Sequence, residues 1–328
     1  MRILITGVTS FLGIYTAEAL LAAGHRVIGV VRPGSRNEGR LQERPGLAGL
    51  RIAHFDFDNL PEAWEEWYWT RIPMDMPVFD AWIHFSWDGI GSAGRSDPAM
   101  QLRNMQNAQK AYVMAKLLGC RKFLFAGSQA EYGRGSHLEP RPVSEYGKAK
   151  LEFGRWAREQ SLYQELEENV GMATLHLRIF SVYGVGDHPG SLVNTLVQSV
   201  LRGEKTALGP CTQQWNYLEV RDLARAIVLL TESPAAGTDV YDIAGGCTKP
   251  LRDYVSEIAA CAAAYRAEEG RPLEMPVAEL LQFGTRGNNI EGSADMAPDI
   301  RRLEELGFRE EIDFQEGIRE LCRKQQVC

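Results

Sequence analysis

At 328 residues, 45% of them hydrophobic and 24% charged, the chain has the composition of a globular protein, which excludes a disordered, collagen-like or coiled-coil chain. The formal net charge of -7 provides no basic surface for nucleic acid or an anionic membrane. The apolar runs are too short for a membrane span, and the first residues enter a strand without a signal sequence, so we expect a cytoplasmic protein. The six cysteines and six histidines lack metal-ligand spacing, which predicts reduced thiols and no metal site.

Strands and helices alternate through the first half of the chain. Residues 2–6 are an apolar, β-branched run, residues 11–23 have helical spacing, and residues 26–31 again have the pattern of a strand. Further strands are predicted at 50–55, 81–86, 122–126 and 173–179, and helices at about 98–118 and 145–165. The acidic segment that carries Trp64, Trp67 and Trp69 is expected to be a covering helix. Because these strands are apolar on both faces, the pattern predicts an α/β fold with a doubly wound parallel sheet of the Rossmann type.

The pattern becomes looser after residue 183. Residues 189–202 have helical spacing, residues 215–245 predict a strand, a helix and a strand, and residues 250–328 are rich in helices with Gly and Pro breaks. We therefore expect a Rossmann domain of residues 1–182 plus 215–247. Residues 183–214 plus 248–328 are expected to form a smaller, discontinuous substrate-binding lobe.

The turn between the first strand and the first helix carries glycines where a dinucleotide site needs them. Gly7 and Gly13 stand at its two ends, and Ser10, Phe11 and Leu12 lie between them. Glycine permits a positive φ or close approach to a pyrophosphate, and the helix N-terminus supplies amides for the anion. The G-x-G-x-x-G fingerprint is not matched, so the position of the turn carries the prediction.

Residues after the second strand predict which dinucleotide is preferred. An NAD site usually has an acidic residue there, whereas this chain has Arg32, Ser35 and Arg36, which could bind a 2′-phosphate. The sequence therefore favours NADP(H), with NAD as the alternative. Asp56, at the end of the third strand, could accept a hydrogen bond from the adenine amino group.

Three residues predict a reaction centre at the carboxyl edge of the sheet. Tyr146 and Lys150 are four residues apart on a predicted helix, so they share one face. A fixed ammonium lowers the pKa of a phenol and allows it to exchange a proton with a carbonyl or alcohol oxygen. Ser128, which follows the strand that ends at residue 126, could hydrogen-bond the same oxygen.

These motifs together resemble the extended short-chain dehydrogenases/reductases, in the branch of nucleotide-sugar epimerases, dehydratases and ketoreductases. The family's glycine turn corresponds to Thr6 to Gly13, with Ser10 in place of the middle glycine. Its catalytic Ser, Tyr and Lys fall on Ser128, Tyr146 and Lys150, and the asparagine that supports the lysine through a water falls on Asn104. The stretches 178–184, 217–222 and 241–246 are similar to later landmarks of the branch.

The resemblance implies further contacts in both halves of the site. Those expected at the cofactor are Phe57, Phe85, Ser86 and Ile179, in addition to Thr6, the glycine turn, Tyr146 and Lys150. Those expected at the substrate are Trp87, Gln129, Glu131, Ser181, Asn194, Trp215 and Arg286. In the family, an arginine commonly stands near position 215, so Trp215 leaves Arg286 as the expected cation for the diphosphate.

The resemblance implies an NADP-dependent oxidoreductase that acts on a nucleotide-linked sugar, and a 4-ketoreductase of a 4-keto-(6-deoxy)hexose is the preferred prediction. An epimerase that holds NAD tightly is the alternative. A non-catalytic NADP-binding regulator is a further one, although such a protein would not need Ser128, Tyr146 and Lys150 together. A homodimer through the helices at 98–118 and 145–165 is expected, because the family often pairs there.

Overall fold

The computed structural model describes residues 1–59, 78–136, 138–168, 171–287 and 297–325. The predicted helix around Trp64, Trp67 and Trp69 lies outside the described residues. The described strands are β1 (Arg2–Thr6), β2 (Arg26–Val31), β3 (Arg51–His54), β4 (Ala81–His84), β5 (Lys122–Ser128), β6 (Ala173–Ile179), β7 (Ser181–Tyr183), β8 (Thr206–Ala207), β9 (Gln214–Glu219), β10 (Asp239–Ile243), β11 (Thr248–Pro250) and β12 (Leu281–Gln282). The described helices are α1 (Phe11–Ala22), α2 (Gly39–Gln42), α3 (Ser92–Arg95), α4 (Pro98–Leu117), α5 (Glu145–Glu168), α6 (Leu192–Arg202), α7 (Val220–Glu232), α8 (Leu251–Glu268), α9 (Arg301–Glu305) and α10 (Phe314–Gln325).

Seven strands form the main sheet in the order β10-β6-β5-β4-β1-β2-β3. All six neighbouring pairs are parallel. The order reverses between β1 and β4, which creates the crevice at the carboxyl edge where open α/β sheets bind ligands. The predicted doubly wound fold is confirmed.

Both faces of this sheet are buried by helices. Ile3 and Ile5 of β1 belong to the core that includes Leu20 of α1 and residues of α7. Leu4, between them, points to the opposite core, which includes Phe153 of α5 and residues of α4. Side chains alternate along a strand, so a strand that is apolar at every position has both faces covered.

A third core lies in the second lobe, where α6, α8 and α10 pack together. Helix α6 starts after Ser191, whose hydroxyl accepts a hydrogen bond from the Asn194 N–H at 3.3 Å, and it ends at Gly203 with φ of 75°. No helix within the described ranges is both long and apolar enough to cross a membrane.

Strand β9 lies outside the main sheet, although residues 215–247 were expected to belong to the Rossmann domain as a whole. It pairs in parallel with β7 and antiparallel with β11 in a separate three-stranded sheet. Tyr217 faces the core of the second lobe, and its neighbour Leu218 faces the main-sheet core. The strand thus joins the two cores, and the division into two domains stays a prediction.

Candidate active site

Two adjoining cavities open at the carboxyl edge of the main sheet. The smaller, of about 230 Å³, lies over the ends of β1, β2 and β3, and the larger, of about 830 Å³, lies between the main sheet and the second lobe. Both cavities are lined by Ser10, Asn37, Phe85 and Trp87. The two together form one cleft that runs from the end of β2 to the start of α5.

The glycine turn at the end of β1 has the close packing that a dinucleotide site needs. Gly7 has φ of +75°, and a Cβ there would lie 2.8 Å from the backbone nitrogen of Ser86. A Cβ on Gly13 would lie 2.3 Å from the carbonyl oxygen of Gly7. Both positions therefore exclude a side chain, and the turn fits a pyrophosphate at the N-terminus of α1.

Ser10, which replaces the middle glycine of the family's turn, has an ordinary backbone conformation with φ of -73°. Its hydroxyl accepts a hydrogen bond from the Gly13 N–H at 3.1 Å and caps α1. A side chain is tolerated at position 10 because the turn needs no positive φ there.

Most of the residues expected around the cofactor line the cleft. Those in the smaller cavity are Gly7, Ser10, Arg32, Ser35, Asp56, Phe57, Phe85 and Ser86, and those in the larger are Ser10, Phe11, Leu12, Phe85, Tyr146, Lys150 and Ile179. Three of the expected residues line neither cavity. The Thr6 side chain is fully buried and hydrogen-bonded to His84, Gly13 supports the turn from behind, and Arg36 points to solvent.

Tyr146 and Lys150 lie one turn apart at the start of α5, and both are buried at the wall of the larger cavity. The Lys150 Nζ lies 5.6 Å from the centre of the Tyr146 ring and 3.9 Å from the centre of the Trp87 ring. It also donates a hydrogen bond to the Ala126 carbonyl oxygen at 2.6 Å. The ammonium is held by a backbone dipole and an aromatic face, beside the phenol that it is expected to activate.

The electrostatic surroundings of Lys150 favour proton exchange near neutral pH. Burial lowers the pKa of Lys150 to about 7, the carboxylate of Glu131 opposes that shift, and Arg95 adds to it. A lysine side chain with a pKa near 7 can be either a charged ammonium or a neutral amine at neutral pH. Groups of this kind are typical of catalytic sites.

Ser128 ends β5 and begins a single 3₁₀ turn, 129–131, at the inner end of the cleft. Its hydroxyl accepts a hydrogen bond from the Ala130 N–H at 3.2 Å, and its own N–H donates to Glu131 Oε1 at 2.9 Å. This reciprocal capping fixes the backbone and side chain of Ser128 beside the cavity.

Glu131 was expected at the substrate, but its side chain is fully buried behind Ser128. Its carboxylate lies 2.9 Å from His176 Nε2 and accepts from Arg178 Nε at 3.2 Å. Burial by itself would raise the pKa of Glu131, but His176, Arg178 and the Ser128 N–H lower it below its usual value. The substrate assignment is corrected: Glu131 is an ionised residue that supports the site from inside the core.

Asn104 was expected to support Lys150 through a water, and this role stays a prediction. Its side chain binds the backbone of Asp88. Its Nδ2 donates to the Asp88 carbonyl oxygen at 2.8 Å, and its Oδ1 accepts from the Asp88 N–H at 3.0 Å. Asn104 is buried and still lines the smaller cavity. It thereby fixes the backbone that follows β4.

Only some of the residues expected at the substrate line the larger cavity. Trp87, Gln129 and Ser181 do, and Gln129 Nε2 donates to the Ser181 hydroxyl at 3.2 Å. The other three, besides Glu131, lie elsewhere. Asn194 is buried and hydrogen-bonded to backbone carbonyls and Gln325, Trp215 packs against the core of the second lobe, and Arg286 is exposed beside the Leu208 carbonyl.

Two arginines that the sequence did not single out line the larger cavity. The Arg95 guanidinium lies 4.7 Å from the centre of the Tyr146 ring. Arg40 donates to the Thr9 carbonyl at 3.2 Å and the Gly186 carbonyl at 3.1 Å, which links the glycine turn to the second lobe. No local pattern marks Arg40, because these partners are 31 and 146 residues away in the chain.

His84 provides a test of how strongly the core beneath this site excludes charge. It is fully buried beside Phe123 and Phe125, and burial, followed by the positive charge of Lys150, lowers its pKa to about 3. The unfolded chain binds a proton at His84 near pH 6.5, whereas the folded chain does so only near pH 3. The free energy of unfolding should therefore fall by about 5 kcal/mol as the pH falls through this whole window.

Chemical denaturation of the wild type and of His84→Asn at several pH values between 6.5 and 4 measures this effect. Asparagine does not titrate and can still hydrogen-bond the Thr6 hydroxyl, which lies 2.8 Å from His84 Nδ1. The variant should lose stability less steeply with acid. Equal slopes for the two proteins would contradict the prediction.

Within the described ranges there is no group of three or more His, Cys, Asp or Glu side chains that could hold a metal ion.

Comparison with known proteins finds a family model and several relatives that are similar to this chain. The model of the "NAD dependent epimerase/dehydratase family" matches residues 3–244. UDP-glucose 4-epimerase 4 of Oryza sativa subsp. japonica is 24% identical, and the match covers 98% of this chain and 88% of that protein. The UDP-glucose 4-epimerase of Erwinia amylovora is 23% identical over 75% of this chain and 78% of that protein.

Solved structures share the fold over the whole chain. The UDP-glucose 4-epimerase of Thermus thermophilus, in complex with NAD, has a TM-score of 0.74 and 22% identity, and the match covers 99% of each chain. The UDP-glucuronic acid 4-epimerase of Bacillus cereus, in complex with UDP-glucuronic acid and NAD, has a TM-score of 0.76 and 20% identity, and the match covers 100% of each chain.

Proposed function

The chain belongs to the NAD dependent epimerase/dehydratase family, and from this premise we propose that it is a nucleotide-sugar 4-epimerase that works with NAD. The observation that carries the proposal is the cleft that the two adjoining cavities form. Ser128, Tyr146 and Lys150 line a cavity of about 830 Å³ that adjoins the pocket above the glycine turn. A dinucleotide in the smaller pocket would reach toward Tyr146, and the larger cavity has the size of a small-molecule site.

Residues along the cleft have separate tasks in this proposal. Gly7, Ser10 and the N-terminus of α1 hold the pyrophosphate, and Asp56 holds the adenine. A bound NAD would accept and return a hydride at C4 of the sugar. Tyr146 removes the proton from the 4-hydroxyl group and later restores it, while Lys150 stabilises the phenolate. Ser128 hydrogen-bonds the same sugar oxygen and keeps it in line for hydride transfer.

The substrate class is proposed from the relatives together with the cavity. Relatives with 22 to 24% identity are named as UDP-glucose 4-epimerases, and a solved relative carries UDP-glucuronic acid. Arg40 and Arg95 provide positive charge along the larger cavity, and the diphosphate of a nucleotide sugar needs cationic partners. We therefore propose a UDP-linked hexose as the substrate, with these two arginines in place of Arg286 at its diphosphate.

The test uses the protein as purified, without added cofactor. Incubation with UDP-glucose, and separately with UDP-glucuronic acid, should yield the C4 epimer of at least one of them, detected by NMR. Because the hydride returns to the same sugar, no cofactor is consumed. Mass spectrometry of the nucleotide released by denaturation should identify NAD. Tyr146→Phe is the control that should retain the nucleotide and lose the conversion.

A second candidate is the NADPH-dependent 4-ketoreductase that the sequence favours. Arg32 and Ser35 line the smaller pocket, where a 2′-phosphate would lie. Stoichiometric oxidation of NADPH by a nucleotide-linked 4-keto-hexose, with no epimerisation of either UDP-sugar, would replace the epimerase proposal with this one.

We do not propose 4,6-dehydration. Dehydratases of the branch have an Asp-Glu pair directly after the catalytic Ser or Thr, and this chain has Gln129 and Ala130 there. Gln129 hydrogen-bonds Ser181, and Ala130 is buried. Neither side chain can act as the acid or base that removes water.

We also propose that two copies pair through α4 and α5, which pack against each other and carry exposed apolar residues. Those residues are Leu102, Val113 and Leu117 on α4 and Leu162, Tyr163 and Leu166 on α5. Apolar side chains on neighbouring helices are typical of a covered face. Analytical ultracentrifugation should give a dimer, and a monomer at micromolar concentration would refute the pairing.

A further inference from the structure

Asp88, in the segment that follows β4, bears on which dinucleotide the cleft binds. The Asp88 carboxylate forms an ion pair with Arg32, with 3.0 Å between Oδ2 and Nη1. Arg32 follows β2 and Asp88 lies beyond β4, and these strands flank β1 on its two sides. The ion pair therefore spans the end of β1, next to Gly7, and both residues line the smaller pocket.

The backbone of Asp88 is held in place. Its N–H and carbonyl are both hydrogen-bonded by the side chain of Asn104, at 3.0 and 2.8 Å. Asn104 is itself only 5% exposed, on the long helix α4. The Arg32 side chain is longer, is 61% exposed and extends from a strand end, whereas the Asp88 side chain is 44% exposed. Arg32 can therefore change its partner while the backbone of Asp88 stays in place.

We propose that Asp88 is a specificity-determining residue that gives Arg32 the negative charge a 2′-phosphate would otherwise supply, and thereby turns an NADP-type pocket toward NAD. With NAD bound, Arg32 stays with Asp88, and each of the two keeps its counter-charge. With NADP bound, Arg32 has to leave Asp88, and the Asp88 carboxylate then lies close to the phosphate. Both effects weaken NADP relative to NAD.

The Arg32–Asp88 ion pair reconciles the residues of the pocket with the cofactor of the solved relatives. Arg32 and Ser35 have the chemistry of an NADP site, whereas solved relatives are complexes with NAD. The exposed ion pair is itself weak, so its effect is on the choice between two cofactors rather than on the stability of the fold. The inference rests on the proposed function only in taking a nicotinamide dinucleotide as the occupant of the pocket.

The test is a binding competition that needs no turnover. The purified full-length chain is equilibrated with equal millimolar concentrations of NAD⁺ and NADP⁺ and passed through a desalting column, and the retained nucleotides are measured by mass spectrometry. Asp88→Asn should raise the ratio of retained NADP⁺ to NAD⁺ by about three- to fivefold over the wild type, the effect of one exposed ion pair. Asp88→Ser should shift the ratio in the same direction.

Two further variants separate this role from the general charge of the pocket. Asp58→Asn removes another carboxylate that lines the same pocket but bonds to Asn107 instead of Arg32, so the ratio should change much less. In an Arg32→Gln background, Asp88→Asn should raise the ratio less than it does in the wild type, because only the repulsion between the carboxylate and the phosphate is then relieved.

Each result decides the matter. An unchanged ratio in Asp88→Asn, an equal shift in Asp58→Asn, or a gain that is just as large without Arg32 would overturn the role of Asp88 and leave the proposed function intact. If neither nucleotide is retained by any of the proteins, the dinucleotide-dependent function and the inference both fail.

Discussion

Tyr146→Phe should lower the turnover of the UDP-sugar by about two to four orders of magnitude, the usual contribution of a positioned acid–base group. The substitution removes the phenolic oxygen and retains the ring, which is 7% exposed and lies edge-on to Trp87. The content of bound nucleotide should therefore stay close to that of the wild type. Initial rates at saturating substrate, together with nucleotide content, measure the two effects separately.

Tyr163→Phe is a matched control, because it makes the same change on the same helix at a side chain that lines neither cavity. It should have the turnover of the wild type. Wild-type turnover in Tyr146→Phe would show that another group exchanges the proton. A parallel loss of bound nucleotide would show that Tyr146 acts mainly in cofactor binding.

Glu131→Gln should lower the free energy of unfolding by about 3 to 5 kcal/mol, because it breaks a buried ion pair from one side. Glu131 is fully buried and accepts hydrogen bonds from Arg178 and from the backbone of Ser128. The chain is built closely around this cluster: a Cβ on Gly127 or Gly154 would lie within 2.5 Å of the His176 ring. Denaturant unfolding at neutral pH measures the loss.

Glu139→Gln is the matched comparison, because Glu139 also pairs with an arginine, Arg141, but both side chains are more than 70% exposed. Unfolding should be almost unchanged there. Acid should remove the contribution of Glu131: a carboxylate whose pKa is lowered by folding stabilises the fold above its usual pKa and ceases to do so as pH falls through the lowered value. If Glu131→Gln is as stable as Glu139→Gln, the buried cluster contributes little.

The sheet and the reaction centre could be predicted from the sequence because their signals are local. Most strands of the main sheet are apolar runs between turn residues, and the carboxyl ends of parallel strands meet at one edge. Gly7 directly follows β1, Ser128 ends β5 and Tyr146 lies in the first turn of α5, so their meeting at that edge follows from the topology. The bounds differed by only a few residues, as at β5, which continues to Ser128.

Roles that depend on distant partners could not be predicted in this way. Glu131 was placed at the substrate because it follows Ser128, but its carboxylate is drawn inward by His176, which is 45 residues away on β6. One signal was present: His176 and Arg178 are two residues apart in an apolar strand, so they share a face, and a buried Arg178 needs a counter-charge. The partner of Asn104 could not be predicted either, because it is the backbone of Asp88, 16 residues away.

The conformation of Ser10 has a consequence for protein engineering and for recognising such chains. A motif search that demands three glycines treats position 10 as a defect, yet the backbone there has a negative φ and the side chain caps the helix. Position 10 can therefore be diversified among helix-capping residues in a mutant library, whereas Gly7 and Gly13 leave no space for any side chain. Position 10 can therefore vary, although consensus patterns require glycine there.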